Sequence, residues 1–127
     1  MKIIVTGCAG FIGTNLCRAL VKAGHNVFGI DNFSYGYREN LKGLKGLEII
    51  KRDVRSLCGI DFIDADIVFH QANLRKNVAS CAPSEDIDIT VEGTRTVLEA
   101  AREAKVKHFI YASSSPVSYT HLTLPTN

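Results

Sequence analysis

Residues 2–13 of the chain read KIIVTGCAGFIG, a β-branched run followed at once by three regularly spaced glycines. The run Lys2–Thr6 predicts a short buried strand. Beyond the glycines, apolar residues recur at helical spacing from Phe11 to Ala23, which predicts an amphipathic helix that ends before Gly24. This part of the chain is therefore predicted to be a strand, a glycine-rich turn and a helix in direct succession.

The glycines between this strand and this helix have the spacing Gly-x-x-Gly-x-x-Gly. Gly7 permits a sharp turn, Gly10 allows backbone N–H groups to approach an anion, and Gly13 allows the helix to lie close to the strand. An anion at this place would lie against unpaired N–H donors at the positive end of the helix dipole. The spacing therefore predicts a site for a pyrophosphate.

Asp31 stands 18 residues after Gly13, at the end of a second predicted strand, Asn26–Ile30. A carboxylate there can accept hydrogen bonds from both hydroxyls of an adenosine ribose, and it would repel a 2′-phosphate. No Arg follows Asp31 directly, since the next one is Arg38. These residues predict that the cofactor is NAD and not NADP.

Apolar runs that alternate with helical stretches continue along the chain. They predict further strands at Leu47–Lys51, Asp66–His70 and His108–Ala112. Ser84–Ala104 predicts a long helix, with Ser84 as its N-cap. The apolar face of this helix is predicted to consist of Ile87, Val91, Thr94, Leu98 and Ala101. Strands that are apolar on both faces and alternate with helices predict an α/β fold, a doubly wound parallel sheet covered by helices.

The composition excludes several other classes of protein. The chain has 127 residues, with 15 Lys and Arg against 13 Asp and Glu, a formal net charge of +2. The basic residues form no run and no apolar run could span a membrane, so we expect no nucleic-acid or membrane partner. The four cysteines form no Cys-x-x-Cys pair and lie far from the histidines, so we expect no metal site. Free thiols and the absence of a signal segment predict a cytoplasmic protein.

The sequence from residue 1 to about residue 115 resembles the extended short-chain dehydrogenase/reductase family. Within it, the sequence is similar to the NAD-dependent sugar-nucleotide epimerases and dehydratases. The resemblance rests on the Thr6–Gly13 turn, on Asp31–Gly36 (Asp-Asn-Phe-Ser-Tyr-Gly), on Arg52-Asp53-Val54 and on Gly93–Ala101. It implies that residues 1–115 form a partial Rossmann-type NAD-binding domain of about five strands in the order 3-2-1-4-5, with the substrate domain missing.

The resemblance also implies a role for individual residues. The backbone of Phe11 and Ile12 would bind the pyrophosphate, Asp31 the ribose, and Asp53 with Val54 the adenine. The implied cofactor-binding set is Gly7, Gly10, Phe11, Ile12, Gly13, Asp31, Asn32, Ser34, Asp53, Val54, Gln71, Ala72, Arg75 and Thr90. Ser114, with Ser115 beside it, would be the catalytic residue that hydrogen-bonds the sugar hydroxyl. His70 is at least as well explained as a structural histidine at the end of a strand.

The reaction of this family oxidises the sugar at its 4-position by hydride transfer to NAD, with a Tyr as base and a nearby Lys that lowers the pKa of that Tyr. The Tyr-x-x-x-Lys motif that supplies both is absent here. The residues four positions after the tyrosines are Glu39, Leu41, Ser115 and Thr123. We therefore expect an N-terminal fragment that is inactive alone. Its last strand would be an exposed apolar edge, which predicts poor solubility. The resemblance implies that the full-length enzyme binds a nucleotide sugar and forms a homodimer.

Pro116–Asn127 matches nothing in the family and is expected to be a sequence artefact outside the domain. Two alternative functions stay open. One is an NAD(P)-dependent reductase or dehydrogenase of the same superfamily, against which Asp31 and Asn32 argue. The other is a non-catalytic NAD-binding regulatory module, which the missing Tyr and Lys allow.

Overall fold

The computed structural model describes residues 1–74, 81 and 83–113. Within this part the chain forms a five-stranded sheet in which every pair of neighbouring strands is parallel. The strands are β1 (Lys2–Thr6), β2 (Asn26–Asp31), β3 (Leu47–Lys51), β4 (Ile67–His70) and β5 (His108–Tyr111). Their spatial order is β3-β2-β1-β4-β5, which confirms the expected topology. The predictions for Arg75, Ser114, Ser115 and residues 116–127 lie outside the described residues.

Helices and short turns cover the sheet. Helix α1 is Phe11–Lys22, α2 is Pro83–Asp86, and α3 is Gly93–Glu103, with a π-helical segment, Ile87–Glu92, between the last two. Three 3₁₀ turns lie at Arg38–Leu41, Val54–Ser56 and Gly59–Phe62. No helix in the described part of the chain is long and apolar enough to cross a membrane.

Strand β1 lies at the centre of the sheet and is buried on both faces. Ile3 and Val5 pack with Cys17 of α1 on one side, whereas Ile4 packs with Phe62 and Val97 on the other. This alternation follows from the two-residue period of a strand. Burial on both faces is the reason that the strand reads as a continuous apolar run in the sequence.

The predicted apolar face of the long helix is wrong in part. Ile87, Val91 and Leu98 are 56%, 57% and 46% exposed. The buried residues of α3 are instead small ones, namely Gly93, Val97, Ala100 and Ala101. Small side chains allow this helix to lie close against the 3₁₀ turns.

Gly93 shows how close this approach is. A Cβ atom at Gly93 would lie 2.9 Å from Cγ2 of Val54. A larger side chain at this position would push the helix away from the turn.

The predicted N-cap at Ser84 is also wrong, because Pro83 already belongs to α2.

The carboxyl ends of β1, β2 and β4 lie level with one another. Thr6, the last residue of β1, pairs with Ile30 on one side and with His70 on the other. Consecutive strands run outward from β1 in one direction and from β4 in the other, so the chain reverses its strand order between these two strands. In open α/β sheets, ligands bind in the crevice outside the carboxyl ends at this place.

Candidate functional site

The turn after β1 is held by backbone contacts. Gly7 has a φ of +70°, a conformation that strongly favours glycine. Its N–H donates to the Ile30 carbonyl over 2.8 Å, and a Cβ atom at Gly7 would lie 2.8 Å from the nitrogen of Ala72. Gly7 therefore joins the turn both to β2 and to the segment that follows β4.

Gly13 brings the first helix onto this turn. A Cβ atom at Gly13 would lie 2.0 Å from the carbonyl oxygen of Gly7, which no real side chain could occupy. Helix α1 begins at Phe11. Its N-cap residue is Gly10, so no side chain caps the helix N-terminus. The first N–H groups of such a helix have no partner within the helix, and they carry its positive dipole end. This geometry can bind an anion.

Asp31 connects this turn with the loop after β2. Its Oδ2 accepts a hydrogen bond from the Ala9 N–H over 2.9 Å, and its Oδ1 accepts one from the Phe33 N–H over 2.8 Å. A carboxylate has about four acceptor positions, so each oxygen can accept a further bond. Asp31 therefore fixes the shape of the site and still offers acceptors to a ligand.

Asp53 is the centre of a second polar cluster. The Arg55 side chain donates from Nε to Oδ1 over 2.9 Å and from Nη2 to Oδ2 over 2.7 Å, and Asn32 donates to Oδ2 over 3.3 Å. The hydrogen bonds from Arg55 lower the pKa of Asp53 to about 2. Asp53 is therefore a carboxylate, and an acceptor, across the ordinary pH range.

These features surround one cleft of about 810 Å³ at the carboxyl ends of the strands. This volume is in the range of pockets for small molecules and cofactors. The structure brings to its wall most of the residues that the sequence singled out for the cofactor. They are Gly7, Gly10, Phe11, Ile12, Gly13, Asp31, Asn32, Ser34, Asp53, Val54, Gln71 and Ala72.

Thr90 is placed differently from those residues. Its hydroxyl donates to Oδ1 of Asp86 over 2.7 Å and accepts from the Leu74 N–H over 3.4 Å. Its neighbour Ile89, on the same π-helical segment, lines the cleft together with Leu74. Thr90 is thus tied to a residue of the wall, and its role toward the cofactor stays a prediction.

Sequence reasoning missed several residues of the wall, including Asn15, Arg18, Tyr35, Tyr37 and Asn40. Asn40 donates to the Ala9 carbonyl over 3.0 Å, and the Tyr35 hydroxyl donates to Glu85 over 3.1 Å. Gly36, another residue of the wall, carried a local signal as the last residue of the Asp31–Gly36 motif, in which the position of Tyr35 is variable. A Cβ atom at Gly36 would lie 2.8 Å from that of Ala9. Asn15 and Arg18 lie on α1, where Asn15 donates to the Phe11 carbonyl and accepts from Arg18, whereas Tyr35 and Asn40 depend on contacts between distant segments.

His70 is buried at the end of β4, where Nδ1 lies 2.7 Å from Oγ1 of Thr6 and Nε2 lies 2.9 Å from Oγ1 of Thr94. Its ring also stacks on Tyr111 at 5.9 Å between centroids. Burial lowers the pKa of His70 to about 4. The imidazole is therefore neutral at neutral pH, with one N–H donor and one acceptor nitrogen.

Cys8 lies within the glycine-rich turn but is fully buried, against Gly29 of β2. Burial raises the pKa of the Cys8 thiol far above its ordinary value and that of the Cys17 thiol to about 12. A thiol in this state is a weak nucleophile. Both cysteines therefore act as small apolar residues of the core.

The end of β5 reaches the other side of the cleft. Ala112 and Ser113 belong to its wall, and the Ala112 N–H donates to the His70 carbonyl over 3.2 Å. The predicted catalytic residues Ser114 and Ser115 follow directly in the sequence. Arg75 likewise follows a wall residue, Leu74.

Parallel strands in this order, with a glycine turn at the switch point, define a Rossmann-type domain. A family model described as the NAD dependent epimerase/dehydratase family matches residues 3–120. Because this match covers most of the 127 residues of the chain, the chain belongs to the NAD-dependent epimerase/dehydratase family. The chain spans between 39% and 41% of the length of the first curated relatives that it matches.

Individual relatives agree with this family. A UDP-glucose 4-epimerase of Klebsiella pneumoniae is 36% identical, over 92% of this chain and 91% of that protein. The solved UDP-glucose 4-epimerase of Thermus thermophilus, in complex with NAD, is 32% identical with a TM-score of 0.82, over 91% of this chain and 38% of that one. The solved dTDP-glucose 4,6-dehydratase of Streptomyces venezuelae, with NAD bound, is 28% identical with a TM-score of 0.80, over 86% and 38%.

The glycine contacts predict that two neighbouring substitutions have different effects. Gly13→Ala forces a Cβ atom against the Gly7 carbonyl, so we expect the free energy of unfolding to fall by about 3 kcal/mol or more. Gly10→Ala places its Cβ atom at an ordinary 3.5 Å from the same oxygen and should leave folding nearly unchanged. Urea unfolding followed by circular dichroism measures both. Equal losses of stability in the two variants would contradict this account of the turn.

His70 predicts how stability depends on pH. Because the pKa of His70 is about 4 in the folded protein and about 6.5 in the unfolded chain, the unfolded chain binds the proton more readily. Stability from this group is complete above about pH 6.5 and is lost as the pH falls towards 4, by about 3 kcal/mol. In His70→Gln, which keeps a donor and an acceptor, urea unfolding should show a flatter dependence between pH 7 and pH 4.5. Identical slopes in both proteins would refute the assignment.

Proposed function

We propose that this chain binds NAD in the cleft and is the cofactor-binding part of a sugar-nucleotide epimerase or dehydratase. One observation carries the proposal. The open N-terminus of α1 and the carboxylate of Asp31 face the same cleft, joined by the hydrogen bond from Ala9. A pyrophosphate donor set next to a ribose acceptor is the arrangement that a dinucleotide requires.

The residues of the cleft fit each part of NAD. Phe11 and Ile12 would bind the pyrophosphate through their N–H groups, in the space that the glycines keep free of side chains. Asp31 would accept from the ribose hydroxyls. Asp53 would accept from the amino group of the adenine, beside the apolar side chain of Val54.

The remaining residues complete the two ends of the site. Asn32 and Ser34 would contact the ribose or the adenine, and Asn32 already holds the Asp53 carboxylate in place. Gln71 and Ala72 would pass beneath the other end of the cofactor. For Arg75 we propose an ion pair with the pyrophosphate.

Bound NAD would supply a hydride acceptor for oxidation of the sugar at its 4-position and would return the hydride later. We propose that Ser114, supported by Ser115, hydrogen-bonds the sugar hydroxyl, because these serines directly follow in sequence the wall residues Ala112 and Ser113. No tyrosine of the chain has a lysine four residues after it. We therefore propose that this chain binds cofactor but does not turn over sugar by itself.

The substrate class rests on the relatives, whose names include UDP-glucose 4-epimerase and dTDP-glucose 4,6-dehydratase. For the full-length protein we propose a nucleotide sugar as substrate. We also propose that residues 1–115 form the domain and that residues 116–127 lie outside it. A cytoplasmic location agrees with four free cysteines.

We also propose that the full-length protein is a homodimer. Ile87, Val91 and Leu98 present an exposed apolar flank on the helical stretch from α2 to α3. Large exposed apolar side chains on one flank of a helix are typical of a protein interface. Arg95, which pairs with Glu92 and Glu99, lies four residues after Val91 and three before Leu98, so it is a charged neighbour of both on this flank.

The role of Asp31 predicts a preference between two cofactors. Calorimetric titration of the 127-residue chain should give an affinity for NAD at least about tenfold higher than that for NADP, because the carboxylate repels the 2′-phosphate. Asp31→Asn keeps an acceptor oxygen and removes the charge, so this preference should shrink. Gly10→Ala serves as the control that changes the pyrophosphate site and leaves the ratio unchanged. Equal affinities of the wild-type chain for both cofactors would overturn the role of Asp31.

The dimer proposal predicts the effect of a charge on the apolar flank. In the full-length protein, Leu98→Glu should shift sedimentation equilibrium toward monomer, because a buried unpaired carboxylate destabilises an interface. Thr96→Glu adds the same charge to the same helix away from this flank and should leave association unchanged. Association that persists in Leu98→Glu would assign the contact to another surface.

A further inference from the structure

The structure assigns to His70 and Thr94 a positioning role: they form a hydrogen-bonded chain of fixed direction that holds the Ala72 backbone in the wall of the cleft. This inference rests on the proposed function, since Gln71 and Ala72 are the residues placed beneath the cofactor. The chain of bonds begins at the Ala72 N–H and passes through Thr6, His70 and Thr94. It ends at the backbone carbonyl of Thr90.

At the far end of the chain of hydrogen bonds, the direction is fixed by a group that can only accept. Oγ1 of Thr94 donates its proton to the Thr90 carbonyl in a short hydrogen bond. It therefore has only acceptor positions left for the ring of His70, so Nε2 of His70 must carry the proton and donate. A neutral imidazole with Nε2 protonated has an unprotonated Nδ1.

At the near end of the chain of hydrogen bonds, the direction is fixed by groups that can only donate. The Ala72 N–H donates to Oγ1 of Thr6 over 3.3 Å. The Gln71 N–H donates to the same oxygen over 3.2 Å and also to the Thr6 carbonyl over 3.2 Å. The proton of the Thr6 hydroxyl therefore points to Nδ1 of His70, which accepts it. Both ends require the same tautomer of His70.

This direction matters for the cleft because the wall has no room to move. A Cβ atom at Gly7 would lie 2.8 Å from the Ala72 nitrogen and 2.9 Å from the Gln71 carbonyl carbon. The pyrophosphate turn and the segment after β4 are thus in backbone contact. A shift of Ala72 would displace the turn as well, so the hydroxyl of Thr94 helps to set the geometry of a site that it does not touch.

The first measurement tests the tautomer in the free protein. In nitrogen-15 spectra of the labelled 127-residue chain, His70 should show a protonated Nε2 and an unprotonated Nδ1 at neutral pH. A protonated Nδ1 in the wild-type chain would overturn the inference outright. This readout does not require NAD, so a failure of the proposed function leaves it intact.

The second measurement tests the positioning role through amide exchange. In Thr94→Val the Nε2–H loses its acceptor, so the proton should move to Nδ1, which then takes the Thr6 oxygen away from Ala72. The Ala72 amide should exchange with solvent about tenfold faster. The Gln71 amide, which keeps its bond to the Thr6 carbonyl, should change less.

Matched variants separate this role from general destabilisation. Thr96→Val removes a hydroxyl that also donates to the carbonyl four residues earlier, here that of Glu92 over 2.9 Å, and should leave the tautomer and the Ala72 exchange unchanged. Thr94→Ser keeps the hydroxyl and should restore both readouts. If Thr94→Val does not fold, the tautomer of His70 in the wild-type chain, in Thr94→Ser and in Thr96→Val still tests the inference. An Ala72 amide that exchanges equally in Thr94→Val and Thr96→Val would refute the role.

NAD affinity, measured in parallel by calorimetry, distinguishes the two levels of the inference. If the wild-type chain binds NAD, Thr94→Val should bind it about tenfold more weakly while Thr96→Val binds it normally. If the wild-type chain does not bind NAD but the tautomer and exchange results hold, the proposed function fails and the positioning role of His70 and Thr94 stands. Unchanged affinity in Thr94→Val would show that the position of Ala72 does not control binding.

Discussion

The contact of backbone with backbone at the carboxyl ends of β1 and β4 is the constraint on which the site depends. The Gly7 carbonyl touches α1 at Gly13, while the Gly7 α-carbon faces the peptide between Gln71 and Ala72. No side chain separates the turn from the helix or from the next strand. Three elements that are distant in sequence are therefore fixed relative to one another at the place where a dinucleotide would lie.

This close packing has an electrostatic consequence. Because the helix begins directly on the turn, its unpaired N–H groups open into the same cleft as the carboxylate of Asp31. The two groups have opposite preferences, since the helix end attracts a phosphate and Asp31 repels one. The short turn, which the hydrogen bond from Ala9 to Asp31 spans, separates the two groups. A phosphate is therefore favoured at the helix end of the site and disfavoured at Asp31.

Features that one segment sets by itself could be predicted from the sequence. All five strands were expected, because their apolar runs are distinct from their surroundings, whereas their order was expected only from the resemblance to the family. The buried face of α3 was not, because it consists of Gly93 and small residues whose contacts with Val54 decide the packing. Tyr35 and Asn40 belong to the wall of the cleft and contact residues distant in sequence, Glu85 and Ala9. The partners of His70 are 64 and 24 residues away, and no local pattern indicates them.

The two ends of the cleft are supported by different kinds of interaction. At one end of the cleft, Asp53 is bound by Arg55 and Asn32 through partly exposed hydrogen bonds with a charged group. Salt and water weaken such bonds, and a side chain can leave and return without unfolding the protein. At the other end, His70 and Thr6 are buried and Thr94 is partly buried, and all three side chains are neutral, so a lost partner leaves a buried polar group unsatisfied. One end of the site can therefore adapt its side chains to the ligand, whereas the other is a rigid wall whose geometry is set before any ligand arrives.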